Sequence, residues 1–182
     1  MSAPPFEDQA SHGLPNDEQH GWHLRTPTEQ HAERVAGWSV SADEAQRWVS
    51  NAVHPFPASA VTSWWDDTDV QPWLLVDPQG VPVGYGEIWD DADEDEVELA
   101  RLMVDPQRRR QGVGSRLVDQ LLGLAHRSGR ADCFLRVAPD NTAALALYRT
   151  AGFRDVDPTQ AAAWNQQQPV DYAWLQQPLS GG

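Results

Sequence analysis

Cysteine is almost absent from this sequence. Cys133 is the only one in 182 residues, which excludes an internal disulfide and fits a reducing compartment. No apolar run reaches the ~20 residues of a membrane-spanning helix. The start of the chain has no basic segment followed by an apolar one, so no secretory leader is expected. Basic residues are few, 13 against 27 acidic, for a net charge of -14, and a field of that sign repels nucleic acid. The expectation is a soluble, cytoplasmic protein that engages neither nucleic acid nor membrane. Its acidity serves solubility or draws in a cationic substrate. No metal centre is expected: His12, His20, His23 and His31 match no closed ligand spacing and have no cysteine nearby.

What the chain does contain is Val104-Asp105-Pro106-Gln107-Arg108-Arg109-Arg110-Gln111-Gly112-Val113-Gly114-Ser115. The apolar Leu99, Leu102 and Val104 lead into a turn at Asp105-Pro106, and three arginines and two close glycines follow. Leu117, Val118, Leu121, Leu122, Leu124 and Ala125 then recur at i, i+1, i+4, i+5, i+7 and i+8, one broad face of a helix. Strand, glycine turn and helix in that order point unpaired backbone N–H groups at an anion. Gly112 and Gly114 let a phosphate lie against the backbone and permit unusual φ. Two familiar phosphate loops are excluded by residue type. A Walker A loop ends in Gly-Lys-Ser/Thr, and no lysine follows either glycine. The dinucleotide fingerprint needs a third glycine, where this chain reads Ser115-Arg116-Leu117.

Arg109-Arg110-Gln111-Gly112-Val113-Gly114 resembles the (Gln/Arg)-x-x-Gly-x-(Gly/Ala) motif of the GNAT family of N-acetyltransferases. Asn141-Thr142-Ala143-Ala144-Leu145-Ala146-Leu147-Tyr148-Arg149-Thr150-Ala151-Gly152-Phe153 is similar to that family's Asn-x-x-Ala-x-x-Leu-Tyr-x-x-x-Gly-Phe signature. Glu98 to Pro106 resembles the strand that precedes the family's pyrophosphate loop. The resemblance implies an α/β domain of the GNAT acyl-CoA N-acyltransferase fold, with a mixed, mostly antiparallel sheet flanked by helices. It also implies acetyl-coenzyme A (acetyl-CoA) as co-substrate.

Along the chain, residues 1–20 read as a proline-rich, acidic tail, 21–178 as one domain and 179–182 as a frayed end. Trp22 to Arg25 is a short first strand. Thr26-Pro27-Thr28-Glu29 and Ser41-Ala42-Asp43-Glu44 are capping boxes. The first opens a helix stopping near Gly37; the second opens one with Ala45, Trp48, Val49 and Ala52 on a face. His54 to Pro72 is expected to be irregular. Strands follow at Trp73–Val76, 81–89 and 97–104, with a solvated acidic turn at 90–96. Strands are also expected at 133–137, 153–156 and 170–175, with a loop over 157–169 and four principal helices in all.

Acetyl transfer to an amine needs an unprotonated nucleophile, a stabilised oxyanion and a protonated leaving thiolate. An alkyl amine of pKa ~10 is free base in roughly one molecule in a thousand at neutral pH, a deficit of about 4 kcal/mol, which a carboxylate base relieves. Glu98 and Glu87 are the candidates, and the resemblance favours Glu98. It also implies Tyr148 as general acid, since a phenol stays protonated at neutral pH. By resemblance the backbone of Leu102, Met103 and Val104 meets the pantetheine arm, and a backbone N–H, that of Val104, faces the thioester oxygen. Gln111, Gly112, Val113, Gly114 and Ser115 meet the pyrophosphate, and Arg109 and Arg110 supply charge. Asn141 either bonds the arm or caps its helix. Cys133 falls in an expected core strand, so transfer is expected to be direct, within a ternary complex. Aromatic faces beside carboxylates suit a cation, which makes Trp38, Trp64, Trp65, Asp66, Asp67 and Trp89 the candidate acceptor residues and a small or peptidic cationic amine the expected acceptor. A protein or N-terminal acetyltransferase and a non-catalytic acyl-CoA-binding module stay open, as does a homodimer, which exposed strands in this family often form.

Overall fold

Turn and cap chemistry sets the order of elements in a computed structural model that describes residues 21–48 and 54–179. The expected tail, Val49, Ala52 and residues 180–182 lie outside the described residues. The first half of the chain forms β1 (His23–Arg25), α1 (Glu29–Ala36), α2 (Ala42–Gln46), α3 (Ala58–Ser63), β2 (Val70–Val76), β3 (Pro82–Asp91) and β4 (Glu96–Val104). A 3-10 turn at Pro106–Arg108 then leads to α4 (Val113–Arg127), β5 (Asp132–Val137), α5 (Thr142–Thr150), β6 (Arg154–Asp155), α6 (Pro158–Asn165) and β7 (Ala173–Pro178). The strands make one sheet in the order β1-β2-β3-β4-β5-β7-β6, in which β4 and β5 are the parallel pair and all other neighbours run antiparallel.

Ser41 caps α2 as its spacing predicts: its Oγ accepts the Glu44 N–H at 3.1 Å, and Glu44 Oε2 accepts the Val40 N–H at 2.9 Å. α1 begins two residues later than expected. Thr28 is its cap, because His31 Nδ1 accepts the Thr28 N–H at 2.9 Å and closes the box in place of a carboxylate. Two helices replace expected loops. Pro57 initiates α3 where the prolines read as breakers, and Asp157 caps α6 by accepting the Thr159 N–H at 2.9 Å. Pro72 lies inside β2 because β1 covers only Leu74–Val76, so the missing N–H falls on an unpaired edge.

α4 packs on one face of the sheet through Leu117, Leu121 and Ala125, all essentially inaccessible, against Leu75, Ile88, Val97, Leu99 and Leu135. Each such leucine contributes about 1.5–3 kcal/mol. Gly86 permits this approach: a Cβ there would stand 2.7 Å from both Leu102 Cδ2 and Leu121 Cδ1. α1 to α3 cover the opposite face, with Val35, Ala45 and Val61 against Leu74, Tyr85 and Met103. α6 sets Trp164 on Phe134 and Trp174, with ring centroids 5.5 and 4.9 Å apart. Among the described residues no helix is long and apolar enough to cross a membrane.

Candidate active site

The site begins where the sheet comes apart. β4 and β5 pair only over Glu96–Glu98 and Asp132–Phe134, and beyond Glu98 no pairing joins them. On its other edge β4 stays on β3 but slips, with Tyr85 opposite Met103 and Glu87 opposite Ala100. Three steps on β4 thus match two on β3, a bulge that falls at Arg101, whose φ is +47°. The bulge resets the phase, so that Val97 and Leu99 before it and Leu102 and Val104 after it all pack in the α4 layer. The Asp105 N–H donates to the Val83 carbonyl at 3.0 Å. By strand alternation the backbone of Met103 also faces β3, while that of Leu102 and Val104 faces the gap. Met103 therefore offers the gap nothing from its backbone, and its side chain is buried in the layer under α1 to α3.

At the head of α4 the two glycines divide their tasks. Gly112 caps the helix at φ +78° with open space around it, so only its left-handed backbone demands glycine. Gly114 is needed for packing, since a Cβ there would meet Leu147 Cδ1 of α5 at 3.0 Å. The N–H groups of Val113, Gly114 and Ser115 lie in the first turn, where no helical acceptor exists. Exposed Arg110 and Gln111 precede them, with Gln111 Nε2 donating to the Gln107 carbonyl at 3.0 Å. Arg109 is directed elsewhere than its motif position implies. Its guanidinium donates to the Val104 carbonyl (3.2 Å) and the Trp38 carbonyl (3.1 Å) and pairs with Glu44 (2.7 Å), clasping α2 to the end of β4.

The gap between β4 and β5 holds a cleft of about 180 Å³, lined by Leu99, Arg101, Leu102, Arg136, Asn141 and Tyr148 among others. Asn141 Oδ1 accepts the Ala144 N–H at 3.3 Å, so it caps α5 while facing the cleft. Tyr148 packs edge-on to Phe153 at 6.3 Å, and burial raises its phenol to about 12.

A second cleft, about 670 Å³, opens on the α1–α3 side and is lined by Trp64, Asp67, Asp69, Trp89, Asp90, Asp91, Asp93, Glu96, Glu98 and Arg101. Its wall is acidic. Asp90 is neutralised by a two-pronged pair with Arg130, at 2.6 and 2.9 Å. Glu98 lines this cleft and pairs with Arg136 Nε at 3.1 Å. Burial raises its carboxyl to about 7, against the pull of Arg136. Glu87 is fully buried. It accepts from Tyr85 Oη (2.5 Å), Trp89 Nε1 (2.7 Å) and Arg101 Nη1 (2.6 Å). That leaves it no free face from which to take a substrate proton, and burial holds its carboxyl above the usual range.

Trp64, Asp67 and Trp89 line the acidic cleft, whereas Trp38, Trp65 and Asp66 do not. Trp38 is a core side chain, Trp65 donates to Tyr85 Oη at 3.0 Å, and Asp66 is exposed away from the cleft. The indole faces at the cleft are already covered from within. Arg101 lies 4.6 Å from the Trp64 centroid and 5.0 Å from that of Trp89. Arg136 lies 5.5 Å from both Trp89 and Trp174 and donates to Gln168 Oε1 at 3.0 Å. These arginines were absent from the sequence expectation. Their signals were small: an arginine inside each of two apolar strands, and the three-residue step from Leu99 to Leu102, which no regular strand makes.

Residues 32–153 match the model of the acetyltransferase (GNAT) family. A mycothiol acetyltransferase of Clavibacter sepedonicus is 36% identical over 133 residues, covering 66% of this chain and 43% of that protein. A ribosomal-protein alanine N-acetyltransferase of Escherichia coli is 39% identical over 61 residues, 34% of this chain and 41% of that protein. The chain thus spans less than half the length of these curated relatives. In fold it is similar to a spermidine N-acetyltransferase SpeG chimera from Vibrio cholerae and hSSAT, with a TM-score of 0.68 at 14% identity over 88% of this chain and 96% of that one. With well over half of its length matched by the family model, and with the sheet and helices to match, the chain belongs to the acetyltransferase (GNAT) family.

Proposed function

We propose that this domain moves an acetyl group from acetyl-CoA to the primary amine of a cationic acceptor by direct attack within a ternary complex. The observation that carries the reading is the parting of β4 from β5 between a phosphate-type turn and two titratable groups of opposite aptitude, Glu98 and Tyr148. The residues suit the co-substrate. Leu102 and Val104 offer backbone along the gap as an added strand would need, the Val104 N–H serves as oxyanion donor, and the first turn of α4 offers N–H groups to a pyrophosphate with Arg110 beside it.

Glu98, with its carboxyl near 7, takes the ammonium proton at neutral pH. The freed nitrogen attacks the thioester carbonyl, the C–S bond breaks, and Tyr148, protonated at any physiological pH, gives its proton to the departing sulfur. The second proton on nitrogen passes to the Tyr148 oxygen as the amide forms, which restores the phenol. Cys133 takes no part: it is fully buried and burial raises its thiol. The exposed carboxylates of Asp67, Asp69, Asp91 and Asp93 at the mouth of the larger cleft favour an acceptor of positive charge. That open mouth also supports a second reading, a peptide or protein N-terminus as acceptor. Initial rates of thiol release with both substrates varied test the mechanism. Intersecting reciprocal plots are expected; parallel ones, the mark of a covalent acetyl-enzyme, would contradict it.

A further inference from the structure

Arg101 is, among the described residues, the one side chain that lines both clefts. It sits on the bulge of β4 with φ +47°, a conformation costly for a non-glycine residue and held only where its surroundings impose it. Three groups hold the side chain. Glu87 Oε2 grips Nη1 at 2.6 Å, and the guanidinium carbon lies 4.6 and 5.0 Å from the ring centroids of Trp64 and Trp89. Glu87 is in turn fixed by Tyr85 and Trp89. A guanidinium has five N–H donors, and the Glu87 contact accounts for the bonding of one nitrogen. The side chain keeps 22% exposure, at the place where the clefts meet. Glu98 stands three residues earlier on the same strand and lines the same larger cleft. The cleft is therefore bipolar: carboxylates for an ammonium, and one rigid guanidinium edge beside them.

Resting on the acetyltransferase reading above, we propose that Arg101 is a specificity residue that bonds a carbonyl or carboxylate oxygen one carbon beyond the amine-bearing carbon, so that the acceptor is an α-aminoacyl group rather than a polyamine or a lysine side chain. An α-amino group and its acyl oxygen are separated by only three bonds, so both ends of the bipolar cleft are engaged at once. Polyamines and lysine side chains carry no such oxygen and leave the N–H groups of Arg101 beyond its Glu87 pair without a substrate partner, the kind of loss to which polar sites are most sensitive.

The test compares L-phenylalaninamide with phenethylamine, and glycine amide with ethylamine, as thiol-release kcat/KM per free-base concentration. The wild-type protein is expected to favour the aminoacyl member of each pair on the order of 10- to 100-fold, the range of a charge-assisted hydrogen bond. Arg101→Met is expected to bring that ratio close to one. Because this change leaves Glu87 buried without its cation, Glu87→Gln/Arg101→Met serves as the folding-safe version, checked by circular dichroism. A wild-type ratio near one overturns the proposal. So does a ratio preserved in the variants while all rates fall together, which would mean that Arg101 acts on the thioester. Absence of thiol release with any amine strikes instead at the acetyltransferase reading itself.

Discussion

Glu98→Gln separates what the site needs from what the fold prefers. The carboxyl is raised from 4.5 to about 7, first by burial, with Arg136 opposing and Glu96 adding to the rise. Catalysis by the ionised form therefore climbs with pH through an inflection near 7. The amide cannot accept the proton, so thiol-release kcat/KM at about pH 8 is expected to fall by about 10²–10⁴, and the inflection near 7 to vanish. What remains should rise with pH only as the amine itself deprotonates, near pKa ~10. Stability should move the other way. The folded-state value lies above the unfolded one, so the proton favours the folded state. Its contribution is full below about pH 4.5 and is lost as pH rises through about 7. The gap amounts to about 3 kcal/mol, an upper bound for the gain of the amide at pH 8, because Arg136 also loses its partner at 3.1 Å. Rates from about pH 5.5 to 9.5, with thermal melts at both ends, read both effects. An inflection near 7 that survives the substitution, or a rate loss below about threefold, would refute the assignment of Glu98.

Three further outcomes follow from the same geometry. Tyr148→Phe should lower turnover about 10²–10⁴ while calorimetric affinity for acetyl-CoA changes little; equal losses in both would show that the phenol holds the co-substrate instead of acting on it. Gly86→Ala should destabilise the fold by about 1–3 kcal/mol in urea, because the new methyl would stand 2.7 Å from Leu102 and Leu121; an unchanged midpoint would mean that α4 rides farther from the sheet. Asp67→Asn/Asp69→Asn/Asp93→Asn should raise KM for a cationic acceptor several-fold at low ionic strength, and salt at about 1 M should erase the difference; a KM indifferent to both would remove the acidic mouth from acceptor recognition.

The sequence disclosed those parts of the molecule whose chemistry is local. The cap at Ser41, the apolar stripe of α4 and the left-handed Gly112 each depend on neighbours within a turn or two. α3 and α6 were hidden for opposite reasons. Pro57, a breaker by residue type, is tolerated as a cap, and the alanines of α6 form no polar and apolar alternation to read. The candidate site was legible where it is motif, at Gly112 to Ser115, Glu98 and Tyr148. It was illegible where it is assembled across the sheet. Arg101, Trp64, Trp89 and Arg136 come from four separate elements and form one stack of cations and rings, which turned the expected open aromatic faces into faces already covered. Glu87 and Glu98 look alike as strand residues, and only packing buries the first completely and leaves the second at the cleft. Arg109 fits its motif in residue type, yet Glu44 and two carbonyls claim its guanidinium.

The most direct measurement is release of free thiol from acetyl-CoA over a panel of amino-acid amides, short peptides, polyamines and aminoglycosides, run beside Tyr148→Phe. Release that depends on one amine class, appears in step with N-acetylated product and collapses in the variant is the predicted result. No release with any amine, while calorimetry shows acetyl-CoA bound, would contradict the claim that this cleft transfers acetyl groups to amines.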